Sequence, residues 1–380
     1  MYAHRPTHVE IDLVALRHNY QLIRQHLTDS CEILAVVKAD AYGHGAVEIA
    51  RVLQRLGTDM FGVAIAEEGL ELRAAGITLP ILMLGGPWSG QEDVLIANDL
   101  QVCVFDVEHV RRLEAAARDL DRICHCHLKV DSGMGRLGVL PADLSEILQL
   151  LRQCPHLVLD GVMSHFAVAD VPQHPYTRQQ LELFLRCVKQ VRAAGFSPRY
   201  IHAANSAATL DATLDADIVG CNLVRPGIAL YGGQPLCEQT LPLQPVMSFC
   251  SEIAHLKHLP VGSGVSYGLH FVTKRPTIIA AIPVGYADGY NRLLSNIGTV
   301  LVRGQRVPVV GSVCMDWTLL DVTDVAGVVA GDKVTLLGCD GGECVLAEQW
   351  ADQIGTISYE VFCQISKRVP RYYRGGEEDA

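Results

Sequence analysis

The sequence contains no run of eighteen or more apolar residues, so no segment is long enough to cross a bilayer as a helix. Its opening residues, MYAHRPTHVEIDL, also lack the continuous apolar stretch of a secretory signal. We therefore expect a soluble, cytoplasmic protein. Since 49% of the 380 residues are hydrophobic, the chain can bury the cores of two domains.

Positive charge is also scarce in this chain. Lys and Arg number 31 against 42 Asp and Glu, which gives a formal net charge of -11. Phosphate backbones are bound by clustered Lys and Arg, so this balance argues against a nucleic-acid partner. A small-molecule ligand fits the composition better, and we expect no membrane partner.

The 13 cysteines fall below the density of a disulfide scaffold. In a cytosolic protein we expect them to stay reduced and to serve mainly as small buried apolar residues. In RICHCHLKVD, Cys124 and Cys126 alternate with His125 and His127. A strand sends alternate side chains to opposite faces, so we predict no metal site here or elsewhere.

From about residue 32 to residue 231, short β-rich runs alternate with longer helical segments, which is typical of repeated βα units. The runs are ILAVV, MFGVA, LPILML, QVCVF, CHLKV, LVLDGVMSH, RYIHA and NLVRP. Eight such strands predict an α/β fold with a closed, eight-stranded parallel β/α barrel of the TIM type over residues 9–238.

After about residue 240, strand-like runs joined by short turns dominate, with two late helices near LAEQWADQ and YEVFCQISKRV. This pattern predicts a separate, mostly-β domain over residues 239–380, to which residues 1–8 are a candidate additional strand. The boundary is expected in GGQPLCEQTLPLQP, where glycines and prolines interrupt regular structure.

Functional residues of a parallel barrel lie at the carboxyl ends of its strands. The first strand ends in AVVKADAYGHGA, which places Lys38 where an apolar run meets a glycine-containing loop. A lysine there can form a Schiff base with an aldehyde cofactor if burial lowers its pKa. The alternative is a lysine that merely extends to solvent at the barrel rim.

The loops after the seventh and eighth strands, HAANSAATL and RPGIALYG, are where barrels commonly bind phosphate. Ser206 offers a hydroxyl at a helix start, and Gly227 lets backbone N–H groups approach an anion. Alternatively, Asn205 and Ser206 form an ordinary helix cap and Gly227 serves only a turn. A lysine at one strand and a phosphate site at two others match the two ends of pyridoxal phosphate.

Over nearly its whole length the chain resembles bacterial alanine racemases. The matching stretches are AVVKADAYGHGA, LKVDSGMGRLG, MSHFA, HAANSA, LVRPGIALYG, GVSYG, VGYADGY, GSVCMDW and YEVFCQISKRVPR. The resemblance implies that Lys38 holds pyridoxal phosphate. It implies further cofactor contacts from Tyr42, Arg136, His165, Asn205, Ser206, Arg225, Gly227, Ile228 and Tyr359.

The resemblance places Arg225 at the pyridine nitrogen of the cofactor. Arginine has no acceptor, so it donates to this nitrogen instead of protonating it, and the ring becomes a weaker electron sink than a pyridinium. The carbanion should therefore be short-lived, which favours reprotonation over transamination. His165 and His202 are expected to support Arg225. A structural ion pair for Arg225, and satisfied core positions for the histidines, are the alternatives.

Racemisation needs an acid/base group on each face of the α-carbon. Lys38 serves one face, and the resemblance assigns the other to Tyr267 in GVSYG, on the C-terminal domain of the neighbouring subunit. The active site would then be shared within a homodimer. The alternative for Tyr267 is an aromatic residue beside a turn that packs on the sheet.

The resemblance also assigns roles near the substrate. It implies that Arg136 reaches the cofactor's phenolic oxygen and the substrate, while Lys129, often carbamylated in the family, would orient Arg136 as an anion. An ion pair between Lys129 and Asp131 is the equal alternative. Met315 resembles the substrate-carboxylate pocket of the family, although a buried Met usually only packs.

Two positions depart from the family pattern. Ser312 stands where the family often has Arg, and Trp317 where it commonly has Gln. The loss of that arginine weakens the expected attraction of the substrate channel for anions. Arg292 either compensates or serves only a solvated surface role.

These features favour an alanine racemase that supplies D-alanine for peptidoglycan. Serine racemisation is an alternative, because a small pocket discriminates weakly against one added hydroxyl, although Tyr359 favours alanine if it crowds the side-chain methyl. A non-catalytic barrel that stores pyridoxal phosphate is another alternative. Such a protein needs neither Tyr267 nor a second domain, so the presence of both argues against it. A decarboxylase of this fold is expected to hold the pyridine nitrogen with a carboxylate, which Arg225 contradicts.

Overall fold

The computed structural model describes residues 5–214, 220–237 and 240–376. Eight parallel strands form the N-terminal sheet in the order β8-β7-β6-β5-β4-β3-β2-β9. They are β2 (Glu32–Val36), β3 (Met60–Val63), β4 (Ile81–Met83), β5 (Leu100–Val104), β6 (Cys124–Lys129), β7 (Leu157–Met163), β8 (Tyr200–His202) and β9 (Leu223–Val224). Each coincides with one of the eight predicted runs, so the predicted fold class is confirmed.

Helices surround this sheet and bury their apolar sides against it. They are α1 (Leu13–Gln25), α2 (Lys38–Gly43), α3 (Ala46–Arg55), α4 (Ala66–Ala74), α5 (Glu92–Ala97), α6 (Val107–Asp119), α7 (Leu144–Leu151), α8 (Pro175–Ala193) and α9 (Ser206–Leu210). In α6, for example, Val110, Leu113 and Ala117 recur at helical spacing and are all buried.

Hydrogen bonds between the ends of β8 and β9 close the barrel. Asn222 N donates to Ile201 O at 3.0 Å, Arg225 N donates to Ala204 O at 2.9 Å, and Asn205 and Arg225 form a parallel bridge. Because β9 also pairs with β2, the loops after β8, β9 and β2 are neighbours. Closure therefore brings the predicted phosphate loops beside Lys38.

The C-terminal domain is built mainly from antiparallel strands. The larger sheet has seven strands: β1 (His8–Asp12), β10 (Met247–Glu252), β15 (Thr299–Val302), β16 (Gln305–Pro308), β18 (Lys333–Asp340), β19 (Glu343–Val345) and β20 (Arg371–Arg374). Their order is β16-β15-β18-β10-β1-β20, and β19 pairs with β18 beside this path. The others are β11 (His255–Leu259), β12 (Gly264–Val265), β13 (Phe271–Val272), β14 (Thr277–Ile282) and β17 (Thr318–Asp321). The two late helices are α10 (Ala347–Ile354) and α11 (Ser358–Gln364).

The first strand of the chain belongs to this second domain. It pairs antiparallel with β10 and parallel with β20, so the chain enters the C-terminal sheet before it forms the barrel. The proposed domain boundary between residues 238 and 239 lies outside the described residues. Within the described part of the chain, no helix has both the length and the apolar character that a membrane span requires.

One expectation about the cysteines is wrong. Cys339 and Cys344 form a disulfide, whereas all cysteines were expected to be reduced. The hairpin of β18 and β19 pairs these two residues directly across from each other, a register that only the folded hairpin defines. Of the remaining cysteines, six are buried within or against the barrel core, in keeping with their predicted packing role: Cys31, Cys103, Cys124, Cys126, Cys154 and Cys187.

Candidate active site

A cavity of 480 Å³ opens at the carboxyl ends of the barrel strands. The residues predicted to bind the cofactor all line it: Lys38, Tyr42, Arg136, His165, Asn205, Ser206, Arg225, Gly227, Ile228 and Tyr359. Lys129 lines it as well. The cavity thus contains four cationic side chains, and no Asp or Glu of the described residues is among those lining it.

Lys38 follows β2 and points into this cavity. Burial lowers its pKa, and the nearby charge of Arg136 lowers it further, while Glu68 opposes the shift. A lysine extending to solvent at the barrel rim would show neither effect. The position therefore favours the neutral amine, which is the form that attacks an aldehyde, more than an exposed site would.

The segment after Lys38 has an unusual backbone. Four residues in succession, Ala39–Tyr42, adopt left-handed φ values between 51° and 55°. Non-glycine residues rarely occupy this region, so surrounding contacts must hold the turn. The carboxylate of Glu68 accepts hydrogen bonds from Ala39 N at 2.6 Å and from Ala64 N at 2.7 Å, which ties the turn to the end of β3.

In the same cavity as Lys38, the loops after β8 and β9 form a cradle of polar groups. Ser206 Oγ accepts hydrogen bonds from Gly227 N at 2.8 Å and Ala229 N at 3.3 Å, and Asn205 caps α9 through Ala208 N at 3.0 Å. A Cβ at position 227 would lie 2.5 Å from Tyr42 Oη. The close approach of Tyr42 therefore requires glycine at position 227.

Arg225 lies at the base of the cavity and is 4% exposed. Its guanidinium donates to Ser164 O at 2.7 Å and Ala203 O at 3.1 Å, and bonds His202 Nδ1 at 2.9 Å and His165 Nδ1 at 3.3 Å. Burial lowers the pKa of Arg225 to about 10. No acidic residue of the described chain pairs with it, so the ion-pair alternative is wrong.

Lys129 is also buried, at 6% exposure, and its Nζ lies 3.5 Å from Leu84 O. Burial lowers its pKa, and the cation of Arg225 adds to this effect. Asp131 does not pair with Lys129. Its Oδ1 instead accepts backbone hydrogen bonds from Gly133 at 2.9 Å and Met134 at 2.8 Å, so that alternative is wrong as well.

Tyr267 and Met315 do not line the cavity. They lie on the C-terminal domain with 74% and 54% of their surface exposed, so Met315 is not a buried packing residue and Tyr267 does not pack on the sheet. The buried Ser312 donates its hydroxyl hydrogen to Tyr267 O at 2.9 Å and thereby holds the turn that carries the phenol. Within this chain, Tyr267 and Met315 therefore lie outside the cavity that contains Lys38.

Sequence reasoning missed several residues of the site. Cys363 lines the cavity four residues after Tyr359 on α11, and helical spacing could have found it. Glu68 contacts the turn after Lys38, yet it is 30 residues away and no local pattern links the two. Arg292 does not line the cavity either, and lies in a short 3₁₀ helix on the C-terminal domain.

Family comparisons agree with this geometry. The family profile "Alanine racemase, N-terminal domain" matches residues 11–235, and "Alanine racemase, C-terminal domain" matches residues 246–373. The chain belongs to the alanine racemase family. This is a family of isomerases that depend on pyridoxal phosphate, so the predicted family, enzyme class and cofactor are confirmed.

Individual relatives cover almost the whole chain. An alanine racemase of Geobacter sulfurreducens is 50% identical over 97% of both chains, and one of Geobacter sp. strain M21 is 49% identical over 98% of this chain and 99% of its own. The solved alanine racemase from D-cycloserine-producing Streptomyces lavendulae superposes with a TM-score of 0.93 at 38% identity, covering 99% of each chain. That from Bacillus anthracis with bound L-Ala-P gives 0.91 at 38% identity, over 99% of this chain and 97% of its own. The predicted function as an alanine racemase is confirmed at this level.

Proposed function

We propose that this chain interconverts L-alanine and D-alanine, with Lys38 and Tyr267 as the two proton-transferring groups. The observation that carries the proposal is the cavity itself, which brings together a lysine of lowered pKa, a phosphate cradle and a buried arginine that has no acidic partner among the described residues. Bound pyridoxal phosphate withdraws electrons from the substrate's α-carbon and so makes its hydrogen acidic.

Each end of the cofactor has matching residues in the cavity. Lys38 would bind the aldehyde carbon, and Ser206 with the backbone at Gly227 would hold the phosphate. Arg225 would donate a hydrogen bond to the ring nitrogen without protonating it, because a guanidinium retains its own proton. His165 and Asn205 position these contacts from the adjacent strand ends.

Lys38 acts on one face of the α-carbon. Because burial lowers the pKa of its amine, a larger fraction of this group is free to accept a proton near neutral pH. The polar contacts of Glu68 with the following turn hold this amine in place. Tyr267 delivers a proton to the other face, from its phenolic oxygen.

Tyr267 would reach Lys38 only in a homodimer, from the partner subunit. Several other large apolar side chains of the C-terminal domain are exposed as well: Leu269, Leu293, Met315 and Trp317. Hydrogen bonds from Asn296 to His270 O and from Gly311 N to Asn296 link the segments that carry them. A second copy of the chain would cover these side chains and complete the site, including the substrate-carboxylate contact of Met315.

Lys129 would carry a carbamate. The group would convert a buried cation among Lys38, Arg136 and Arg225 into an anion that orients Arg136 toward the cofactor and substrate. A lowered pKa favours this reaction, because the neutral amine attacks carbon dioxide. Mass measurement under native conditions should show the added mass of carbon dioxide, which a Lys129→Arg variant should lack.

In the cell we place this activity in the cytoplasm, where its D-alanine would supply peptidoglycan synthesis. Tyr359 lines the cavity beside Tyr42, with ring centroids 5.9 Å apart, and its ring would crowd a hydroxymethyl group more than a methyl group. The purified holoprotein should therefore convert L-alanine faster than L-serine when both are followed by optical rotation. Faster conversion of serine would refute the substrate assignment, and conversion of neither would refute the activity.

A further inference from the structure

A chain of hydrogen bonds runs through the barrel interior and ends at Arg225. Arg225 Nη1 lies 2.9 Å from His202 Nδ1, and His202 Nε2 lies 2.8 Å from His127 Nδ1. His127 Nε2 in turn lies 3.0 Å from Gln101 Oε1, near the amino end of β5. Both imidazoles are fully buried, so this chain connects the lower end of the barrel with the cavity.

These bonds can run in only one direction. Arg225 has no acceptor, so it donates to His202 Nδ1, and His202 must carry its proton on Nε2. His202 then donates to His127 Nδ1, which leaves the His127 proton on Nε2, facing the amide oxygen of Gln101. Both rings are therefore neutral, in agreement with burial, which lowers the pKa of His127 to about 3.

The neighbouring strands β7 and β8 limit the positions that the His127 ring can adopt. A Cβ at Gly161 on β7 would lie 2.3 Å from His127 Nδ1, closer than any side chain can approach. The register between β6 and β7 also shifts between Cys126 and His127. On its other side the ring stacks on Tyr200 with centroids 5.7 Å apart. These features fix the ring in the orientation that the hydrogen bonds require.

We propose that Gln101 and His127 are positioning residues that fix the tautomer of His202 and thereby hold Arg225 in place. The inference rests on the proposed function, in which Arg225 donates to the ring nitrogen of the cofactor. Without the Gln101 oxygen, His127 can carry its proton on Nδ1 instead of Nε2. That proton would point at the Nε2 proton of His202, so two donors would face each other without an acceptor. His202 then carries its proton on Nδ1, and the guanidinium loses its acceptor.

The first test compares substitutions at position 101. Gln101→Leu removes the acceptor and should lower kcat about tenfold while KM changes less than about twofold, since one buried hydrogen bond is lost away from the substrate. The absorption maximum of the bound cofactor should shift as well. Gln101→Glu keeps an oxygen acceptor and should restore both. His125→Gln is the matched control, because His125 lies two residues from His127 on the same strand but is exposed and bonds Asp160 at 2.6 Å instead of a member of the hydrogen-bond chain.

The second test reads the tautomers directly in the unmodified protein. In ¹⁵N-histidine NMR of the apoprotein and holoprotein, His127 and His202 should each carry a proton on Nε2 and none on Nδ1. A proton on Nδ1 of His202, or a Gln101→Leu variant that behaves like the His125→Gln control, would overturn the inference. In either case an active wild-type holoprotein would leave the proposed function intact, whereas an inactive or colourless one would refute that function separately.

Discussion

Lys38 and Tyr267 can be separated experimentally because they contribute to different steps. Lys38→Ala removes the amine that would bind the cofactor, so both the visible absorbance of the purified protein and its turnover should disappear. Tyr267→Phe keeps the cavity intact and should retain the absorbance, yet lose a factor of about 10² to 10⁴ in turnover. Absorbance spectra and a racemisation assay measure both effects. Full turnover in the Tyr267→Phe variant would remove this phenol from the mechanism.

The buried His44 predicts a loss of stability in acid. Its Nδ1 bonds Ala41 O at 2.9 Å and Tyr42 O at 3.0 Å, its Nε2 has no hydrogen-bond partner among the described residues, and burial lowers its pKa from 6.5 to about 4. The unfolded chain therefore binds this proton first as the pH falls below 6.5, and stability present above that pH declines toward pH 4.

Replacing this histidine should flatten the pH dependence. Between pH 7 and pH 5, His44→Phe should lose about 2 kcal/mol less unfolding free energy than the wild type, although it is less stable at pH 7. Urea unfolding of the holoprotein at the two pH values checks this. Equal losses in the two proteins would mean that His44 binds its proton similarly in the folded and unfolded states.

Most residues of the site could be predicted from sequence because they lie within motifs that follow strand ends. Ser206 and Gly227 are examples, and the structure places both beside Lys38. Gln101 and Glu68 could not be predicted. Their partners are distant in the chain, and only the closed barrel brings them together.

At the level of elements, the left-handed turn after Lys38 depends on Glu68. Glu68→Ala removes the acceptor for Ala39 N and Ala64 N, and should lower the unfolding free energy by about 1 to 3 kcal/mol while weakening cofactor binding. The adjacent and exposed Glu67 provides the control, since Glu67→Ala removes a similar charge from the same helix. Thermal unfolding and cofactor titration should distinguish the two variants. If both lose the same stability and affinity, the turn does not depend on this carboxylate.

The strands were easier to predict than this turn. Runs such as ILAVV and QVCVF are apolar enough to be buried on both faces, and each forms a barrel strand. The sequence ADAY contains no glycine, so nothing local indicates four left-handed residues. The disulfide of Cys339 and Cys344 likewise follows from hairpin register, which composition does not specify.

At the scale of the whole molecule, the two proposed proton-transferring groups lie on different domains. Lys38 lies in the barrel cavity, whereas Tyr267 lies on the exposed face of the C-terminal domain. The change near residue 240 from alternating strands and helices to mostly strands predicted two domains. The position of β1 in the second sheet could not be read from that change, because it depends on long-range pairing with β20. The proposed mechanism needs both groups in one site, so it requires that the site be shared between two copies of the chain.

Mixed dimers test this claim most directly. When Lys38→Ala and Tyr267→Phe chains are co-expressed with different tags and the mixed dimer is purified, one of its two sites should pair an intact Lys38 with an intact Tyr267 of the other chain. We predict that the mixed dimer regains about half of the wild-type racemisation rate, while each variant alone remains inactive. A purified mixed dimer without activity would contradict the shared active site.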